Sequence, residues 1–276
     1  MRTQKEKGEN FRSLHQREQA FIIPNPWDAG TARMLAHMGF EALATTSAGN
    51  AFSLGQKDGT VGRERTLANV AAIAGAAELP VTADLENGFG SSPDAVAETI
   101  RLAAEAGAVG GSIEDATGEP DQPIYPIEAA IERIEAAAEA ARSLEFPFTL
   151  TARAENFLYG RADLKDTIYR LRTYQEAGAD VLYAPGLSTR EQIAAVVSSV
   201  DRPVNVLMGL GRLELSLEEL GEMGVRRVSV GGALYRLALG SFLGAAREMK
   251  ERGTFGFARR ATSTQKITAM FEPGSG

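Results

Sequence analysis

Four times along the chain a single glycine separates a helical stretch from an apolar run: Met38-Gly39-Phe40, Ala106-Gly107-Ala108, Ala177-Gly178-Ala179 and Met223-Gly224-Val225. A glycine just past the last helical turn enters the left-handed conformation without a Cβ penalty and ends the helix. The chain then passes directly into a strand. Strands that are apolar throughout belong in a parallel sheet covered by helices. Eight are expected, over 21–24, 41–45, 80–83, 108–113, 148–152, 180–183, 203–207 and 225–230. A short helix over 11–20 leads into the first. Helices over 29–38, 64–78, 127–143 and 188–199, among others, join the rest. Ser92-Pro93-Asp94 and the Ser216/Glu219 pair mark two helix starts. Residues 46–50 are presented by the C-terminal end of the second strand, and a long loop carries Lys57-Asp58-Gly59. Eight such units in 276 residues favour one domain, a (β/α)8 TIM-type barrel over 1–276 with an extra helical segment at about 233–271. A doubly wound open sheet is the alternative. No Gly-x-Gly-x-x-Gly follows the first strand to support it. The tail 272–276 is expected to be disordered.

Composition narrows the chemistry. There is no cysteine, which removes disulfides, thiolate metal sites and cysteine nucleophiles. Two histidines are too few for a His-rich zinc site. A net charge of −7 argues against nucleic acid as a partner. No apolar run approaches the ~20 residues of a membrane span. Residues 1–10 are charged and lack the apolar core of a signal peptide. A cytoplasmic enzyme is the expectation.

The stretch that carries most functional information runs from Pro80 to Gly90, where a buried strand ends in Asp84 and Glu86 before a Gly-rich turn. An ionised carboxylate costs several kcal/mol to bury unless it is paired or bound to a metal. Two acids one residue apart at a strand end therefore read either as a metal site or as solvated loop acids. Barrel active sites lie at the C-terminal ends of the strands. Those ends present, in order, Asp28, Ser47 to Asn50, Asp58 in a loop, Asp84 and Glu86, Glu114 and Asp115, Arg153, Tyr183, Asn205 and Gly231-Gly232. An all-oxygen ligand set selects Mg²⁺ or Mn²⁺. Arg153 has the planar fork that clamps a carboxylate. Backbone N–H groups of Ser47, Ala48 and Gly49 could hold another carboxylate or an enolate oxygen. Plainer roles compete at several positions. Asp28 can simply cap a helix, Ser47 can be a turn residue, and Arg153 can pair structurally with Glu114. Asp115 reads as a supporting residue and Glu155 as pointing away from the site. His15 and His37 read as surface or packing residues. No lysine stands at a strand end, which argues against Schiff-base chemistry.

Together, Thr46-Ser47-Ala48-Gly49, Lys57-Asp58-Gly59, the stretch Ala83 to Gly90, Ser112-Ile113-Glu114-Asp115 and Thr151-Ala152-Arg153 resemble the isocitrate lyase/phosphoenolpyruvate mutase superfamily over roughly residues 20–250. The resemblance implies a (β/α)8 barrel, often a tetramer that exchanges its eighth helix between subunits. The helical C-terminus here could serve that exchange, giving a homo-oligomer, dimer or tetramer. It implies Mg²⁺ and the cleavage or formation of C–C or P–C bonds of a small 2-oxo or 2-hydroxy carboxylate through a pyruvate enolate. Carried over by motif, Asp84 matches the direct metal ligand. Asp58, Glu86 and Glu114 match acids holding metal-bound water, and Arg153 the substrate-carboxylate arginine. Ser47, Ala48 and Gly49 match the backbone cradle, and Asn205 falls near a substrate-contacting asparagine. Glu86 stands where an Asp is usual and Ala48 where a Gly is usual. The lyases' cysteine stretch after Glu114 is replaced by 115–125, and the mutases' Lys and Asn are missing there. Cysteine-dependent isocitrate cleavage is thus disfavoured. Decarboxylation or hydrolysis of an oxaloacetate-like acid fits best. Phosphonopyruvate mutase or hydrolase chemistry, and a non-catalytic 2-oxo acid binder, are the alternatives.

Overall fold

All four junction glycines take the left-handed backbone, with φ of 85° at Gly39, 95° at Gly107, 108° at Gly178 and 89° at Gly224. The computed structural model describes residues 2–211 and 213–272; of the expected disordered tail, residues 273–276 lie outside the described residues. The strands are β1 (Phe21–Ile23), β2 (Leu43–Ala44), β3 (Val81–Asp84), β4 (Gly110–Glu114), β5 (Thr149–Arg153), β6 (Val181–Tyr183), β7 (Val204–Leu207) and β8 (Arg227–Ser229). They form one sheet in the order β1-β8-β7-β6-β5-β4-β3-β2, parallel at every pairing. The remaining gap is bridged where the Ala44 N–H donates to the Pro24 carbonyl at 3.1 Å. This is the expected (β/α)8 barrel, nearly closed.

The helices before β5 are α1 (Gln4–Gln16), α2 (Ala29–His37), α3 (Ser47–Ser53), α4 (Arg63–Ala76), α5 (Pro93–Glu105) and α6 (Ile127–Arg142). After it come α7 (Leu164–Glu176), α8 (Arg190–Val197), α9 (Leu217–Glu222), α10 (Ala233–Arg252), a 3-10 turn at Gly256–Arg260 and α11 (Thr264–Ala269). Most of the described helices begin at a side-chain cap, although α4, α6 and α10 do not. Asp28 accepts from the Thr31 N–H at 2.7 Å and so does cap α2. Ser92 caps α5 with Pro93 behind it, and the Ser216/Glu219 box starts α9. Each such cap contributes about 1 kcal/mol. Val70, Ile100, Ile134, Leu171, Ile193 and Leu220, one from each of α4 to α9, are buried in one continuous core against the strands. Burial of each stabilises the fold by about 1.5–3 kcal/mol.

Two elements differ from expectation. The first helix begins at residue 4, because Thr3 and Glu6 form a capping box. It closes the N-terminal end of the barrel. Phe11, Leu14 and His15 are buried there, and Phe11 and Leu14 share a cluster with Phe21, Ile23, Ala42 and Val109. The stretch 46–50, expected only as the end of the second strand, caps and begins a helix, α3, since the Thr46 hydroxyl accepts the Gly49 N–H at 3.2 Å. The C-terminal α10 has no buried residue, and its Leu237 and Phe242 are 70% and 66% exposed. Among the described residues no helix is long and apolar enough to cross a membrane.

Candidate active site

The end of β5 gathers the site. Arg153 donates from Nη1 to Asp84 Oδ1 at 3.0 Å, from Nη2 to Glu114 Oε2 at 3.0 Å and from Nε to Glu155 Oε1 at 2.9 Å. Its guanidinium lies 5.2 Å from the Tyr183 ring centroid. Three acids from three chain segments thus surround one cation. Asp84 is fixed further: its Oδ2 accepts the Ser47 N–H at 3.0 Å, and its own N–H reaches the Thr45 hydroxyl at 2.8 Å. Glu155 corrects the expectation that it points away. It lies two residues beyond Arg153, and in extended chain alternate side chains share a side. Its N–H is held by Asp115 Oδ1 at 2.8 Å, and its side chain is 2% exposed.

Two connected spaces meet here. A cavity of ≈ 180 Å³ runs down the barrel between Ser47, Ala48, Asp58, Asp84, Arg153 and Asn205, among others. A mouth cleft of ≈ 330 Å³ adds Glu86, Glu114, Glu155 and Tyr159. The expected residues Asp58, Asp84, Glu86, Glu114, Arg153, Ser47, Ala48 and Asn205 therefore all line one continuous site. Gly49 lies just behind it: a Cβ there would come within 2.6 Å of Thr46 Cγ2 and 3.1 Å of Trp27 Cβ.

Five carboxylates face one guanidinium, and the charge balance shows it. Burial, reinforced by Asp84 and Asp58, pushes the Glu86 carboxyl up to about 7. Burial also lifts Glu114 well above the usual carboxylate range, although Arg153 opposes it. Glu155 and Asp58 are raised chiefly by burial as well. Burial acts against the charge of Arg153, but Glu114, Glu155 and Asp84 hold it firmly protonated. Among the described residues no three acids or histidines are grouped closely enough to hold a metal ion as they stand. Arg153 takes the central place. The donor chemistry itself fits Mg²⁺ or Mn²⁺, because every candidate ligand is a hard carboxylate oxygen and the acids carry excess negative charge.

Several supporting contacts, and the roles of Arg133 and Arg227, were not legible in the sequence. Arg133 of α6 donates to the carbonyls of Gly90 at 2.8 Å, Ser91 at 2.7 Å and Asn87, with its guanidinium over the Tyr125 ring. It pins the turn in which Glu86 and Phe89 adopt positive φ of 50° and 57°. Asp115 accepts from Tyr174 at 2.6 Å and from Arg170 at 3.1 Å, which confirms a supporting role. Asn205 is engaged at both ends: Arg227 Nε donates to its Oδ1 and its Nδ2 donates to Ser229, each at 2.9 Å. Arg227 also reaches Thr151 at 3.0 Å and the His15 ring at 3.4 Å. His15 Nδ1 faces the Phe11 carbonyl at 2.8 Å, so that nitrogen carries the proton and Nε2 accepts from Arg227. Burial and the Arg227 charge push the His15 ring down to about 3. His15 is thus a packing residue. Tandem arginines at 226–227 entering a strand were the one available signal of this inner polar cluster.

Known proteins resemble the chain in sequence and in fold. A solved structure from Burkholderia cenocepacia J2315, provisionally described as a lyase/mutase, is 62% identical with a TM-score of 0.97, covering 99% of this chain and 98% of that one. An uncharacterized protein of Mycobacterium tuberculosis is 33% identical over 88% of this chain and 89% of its own length. An oxaloacetate decarboxylase of Pseudomonas putida is 28% identical over 83% and 80%. A family model described as phosphoenolpyruvate phosphomutase matches residues 11–250. The chain therefore belongs to that family, within the isocitrate lyase/phosphoenolpyruvate mutase superfamily.

Proposed function

We propose that this protein is a Mg²⁺-dependent lyase-type enzyme that cleaves a C–C bond of a small 2-oxo or 2-hydroxy carboxylic acid through a pyruvate-enolate-like intermediate. The observation that carries the reading is the convergence of Asp84, Glu114 and Glu155 on Arg153 at the strand ends, with Glu86 and Asp58 beside them. The similarity to an oxaloacetate decarboxylase supports C–C cleavage of a 2-oxo acid. Asp84, Glu86 and Glu114 would hold the ion, and Asp58 would hold its water. Bound Mg²⁺ supplies a Lewis acid that steadies charge developing on the 2-oxo oxygen. With Asp84 and Glu114 engaged by a cation, the terminal N–H groups of Arg153 that now bind them would be available to clamp a substrate carboxylate. Glu155 keeps the fork aimed by holding Nε. Among the described residues the Ala48 N–H has no hydrogen-bond partner, and Ala48 lines the cavity, so this N–H can donate to a substrate oxygen. Asn205 forms the inner wall, oriented by Arg227.

We extend the proposal to assembly as a homo-oligomer, in which a second copy covers the exposed face of α10. The function is tested by Mg²⁺-dependent pyruvate release from oxaloacetate, methylisocitrate and phosphonopyruvate. Asp84→Ala is the control. The expected result is turnover of oxaloacetate that Asp84→Ala abolishes. Turnover that survives Asp84→Ala overturns the reading, and preference for phosphonopyruvate would move it to the P–C bond.

A further inference from the structure

An enolate released at this site must gain a proton on carbon to leave as pyruvate, and few groups at the mouth can supply one. The chain has no cysteine. His15 is sealed in the barrel floor and His37 lies on α2. Neither Lys57 nor any other lysine lines the cavity or the mouth cleft. The Ser47 hydroxyl is taken up by Asp58. Tyr183 is buried beneath Arg153 and tied to Ser229. Tyr125 is stacked on Arg133, with the centroid 4.3 Å from the guanidinium carbon. Of the carboxylates, Asp84, Glu86 and Glu114 would hold the ion and Asp58 its water, while Glu155 is bound to Arg153 Nε.

Tyr159 remains. It lines the same cleft as Asp58, Glu86, Glu114 and Arg153, with 42% of its surface still open. Its position is built. The turn after β5 is tethered where the N–H groups of Leu158 and Tyr159 reach the Glu155 carbonyl at 3.0 and 3.3 Å. The Arg161 N–H closes the turn on the Asn156 carbonyl at 2.8 Å, and the Asn156 side chain is tied to Asp166 at 2.6 Å. Leu158 and Tyr159 therefore overhang the acids from a braced base.

We infer that Tyr159 is the proton donor that converts the enolate to the 2-oxo acid product. The enolate double-bond electrons form the new C–H bond to the phenolic proton. The O–H pair stays on oxygen, and the resulting phenolate regains a proton from water. The inference rests on the enolate reading above, and it is tested by a partial reaction that breaks no carbon skeleton. By microscopic reversibility, the group that protonates the enolate also exchanges the methyl protons of pyruvate.

Pyruvate is incubated with protein and Mg²⁺ in D₂O and its methyl signal is followed by NMR. Oxalate affinity in Mg²⁺ is measured alongside. Wild type is expected to exchange the methyl protons. Tyr159→Phe is expected to slow exchange about 100-fold or more while binding oxalate within about twofold of wild type. Tyr159→His, which restores a titratable group, is expected to exchange faster than Tyr159→Phe. Exchange by Tyr159→Phe at the wild-type rate overturns the assignment alone. Absence of exchange in wild type that still binds oxalate overturns the enolate reading and the assignment with it.

Discussion

Glu86 is the residue through which the cost of the site can be measured. It sits at a positive φ of 50°, partly buried, beside Asp84 and Asp58, and its carboxyl is lifted from 4.5 to about 7. A carboxyl held above its unfolded value favours the folded state only while protonated. The penalty is absent well below pH 4.5, grows as pH rises through about 7, and is constant above that. At about 1.36 kcal/mol per unit the full shift corresponds to about 3.4 kcal/mol, and solvent screening of this partly open group reduces it to about 2 kcal/mol. Glu86→Gln keeps the shape and the backbone and removes the charge. In chelator at pH 8.5 the variant should therefore be more stable than wild type by about 2 kcal/mol, a rise in Tm of about 4–8 °C. At pH 5 about two fifths of that difference should remain. Differential scanning calorimetry at the two pH values reads it directly. An equal difference at both, or a less stable variant at pH 8.5, would refute the electrostatic account.

Two further outcomes follow from the same contacts. Arg153→Met leaves Asp84, Glu114 and Glu155 without their shared cation, so urea unfolding at pH 8 without metal should show a loss of about 3–5 kcal/mol. The loss should shrink toward pH 5, because Glu114 and Glu155 have raised values and take up protons early. Light scattering should find wild type as a dimer or tetramer, and a Leu237→Glu, Phe242→Glu double variant should shift it toward monomer; a monomeric wild type refutes the covered face.

The barrel was legible because its signals are local. Gly107 or Gly178 ends a helix by its own backbone freedom, and an apolar run such as Val81–Ala83 can only be a buried strand. The acids at 84, 86 and 114 were legible because strand ends fix position along the barrel axis. What lies past a strand end is set by partners far away in sequence. Residues 46–50 read only as the end of the second strand, with Ser47 a candidate turn residue, yet the Thr46 hydroxyl is enough to start α3 there. Glu155 was misplaced because nothing nearby in sequence shows that Asp115 holds its backbone extended across 40 positions. Arg133 has no signal at all: its three carbonyl partners lie more than 40 residues upstream.

The sealed floor of the barrel has a consequence for how the chain is made. The helix that seals it precedes all eight strands in the sequence, but its His15 meets Arg227 from 212 positions away, on the eighth strand. Phe11 and Leu14 have their nearest partners early, at Phe21 and Ile23, and the rest of their cover only once Val109 arrives. Contacts of such long separation form late, since the loop between them must close first. Before the eighth strand is in place the ring lacks its β1–β8 pairing, and the first helix is a tethered stopper without its Arg227 partner. Completion of the eighth strand closes the ring and seats the stopper together.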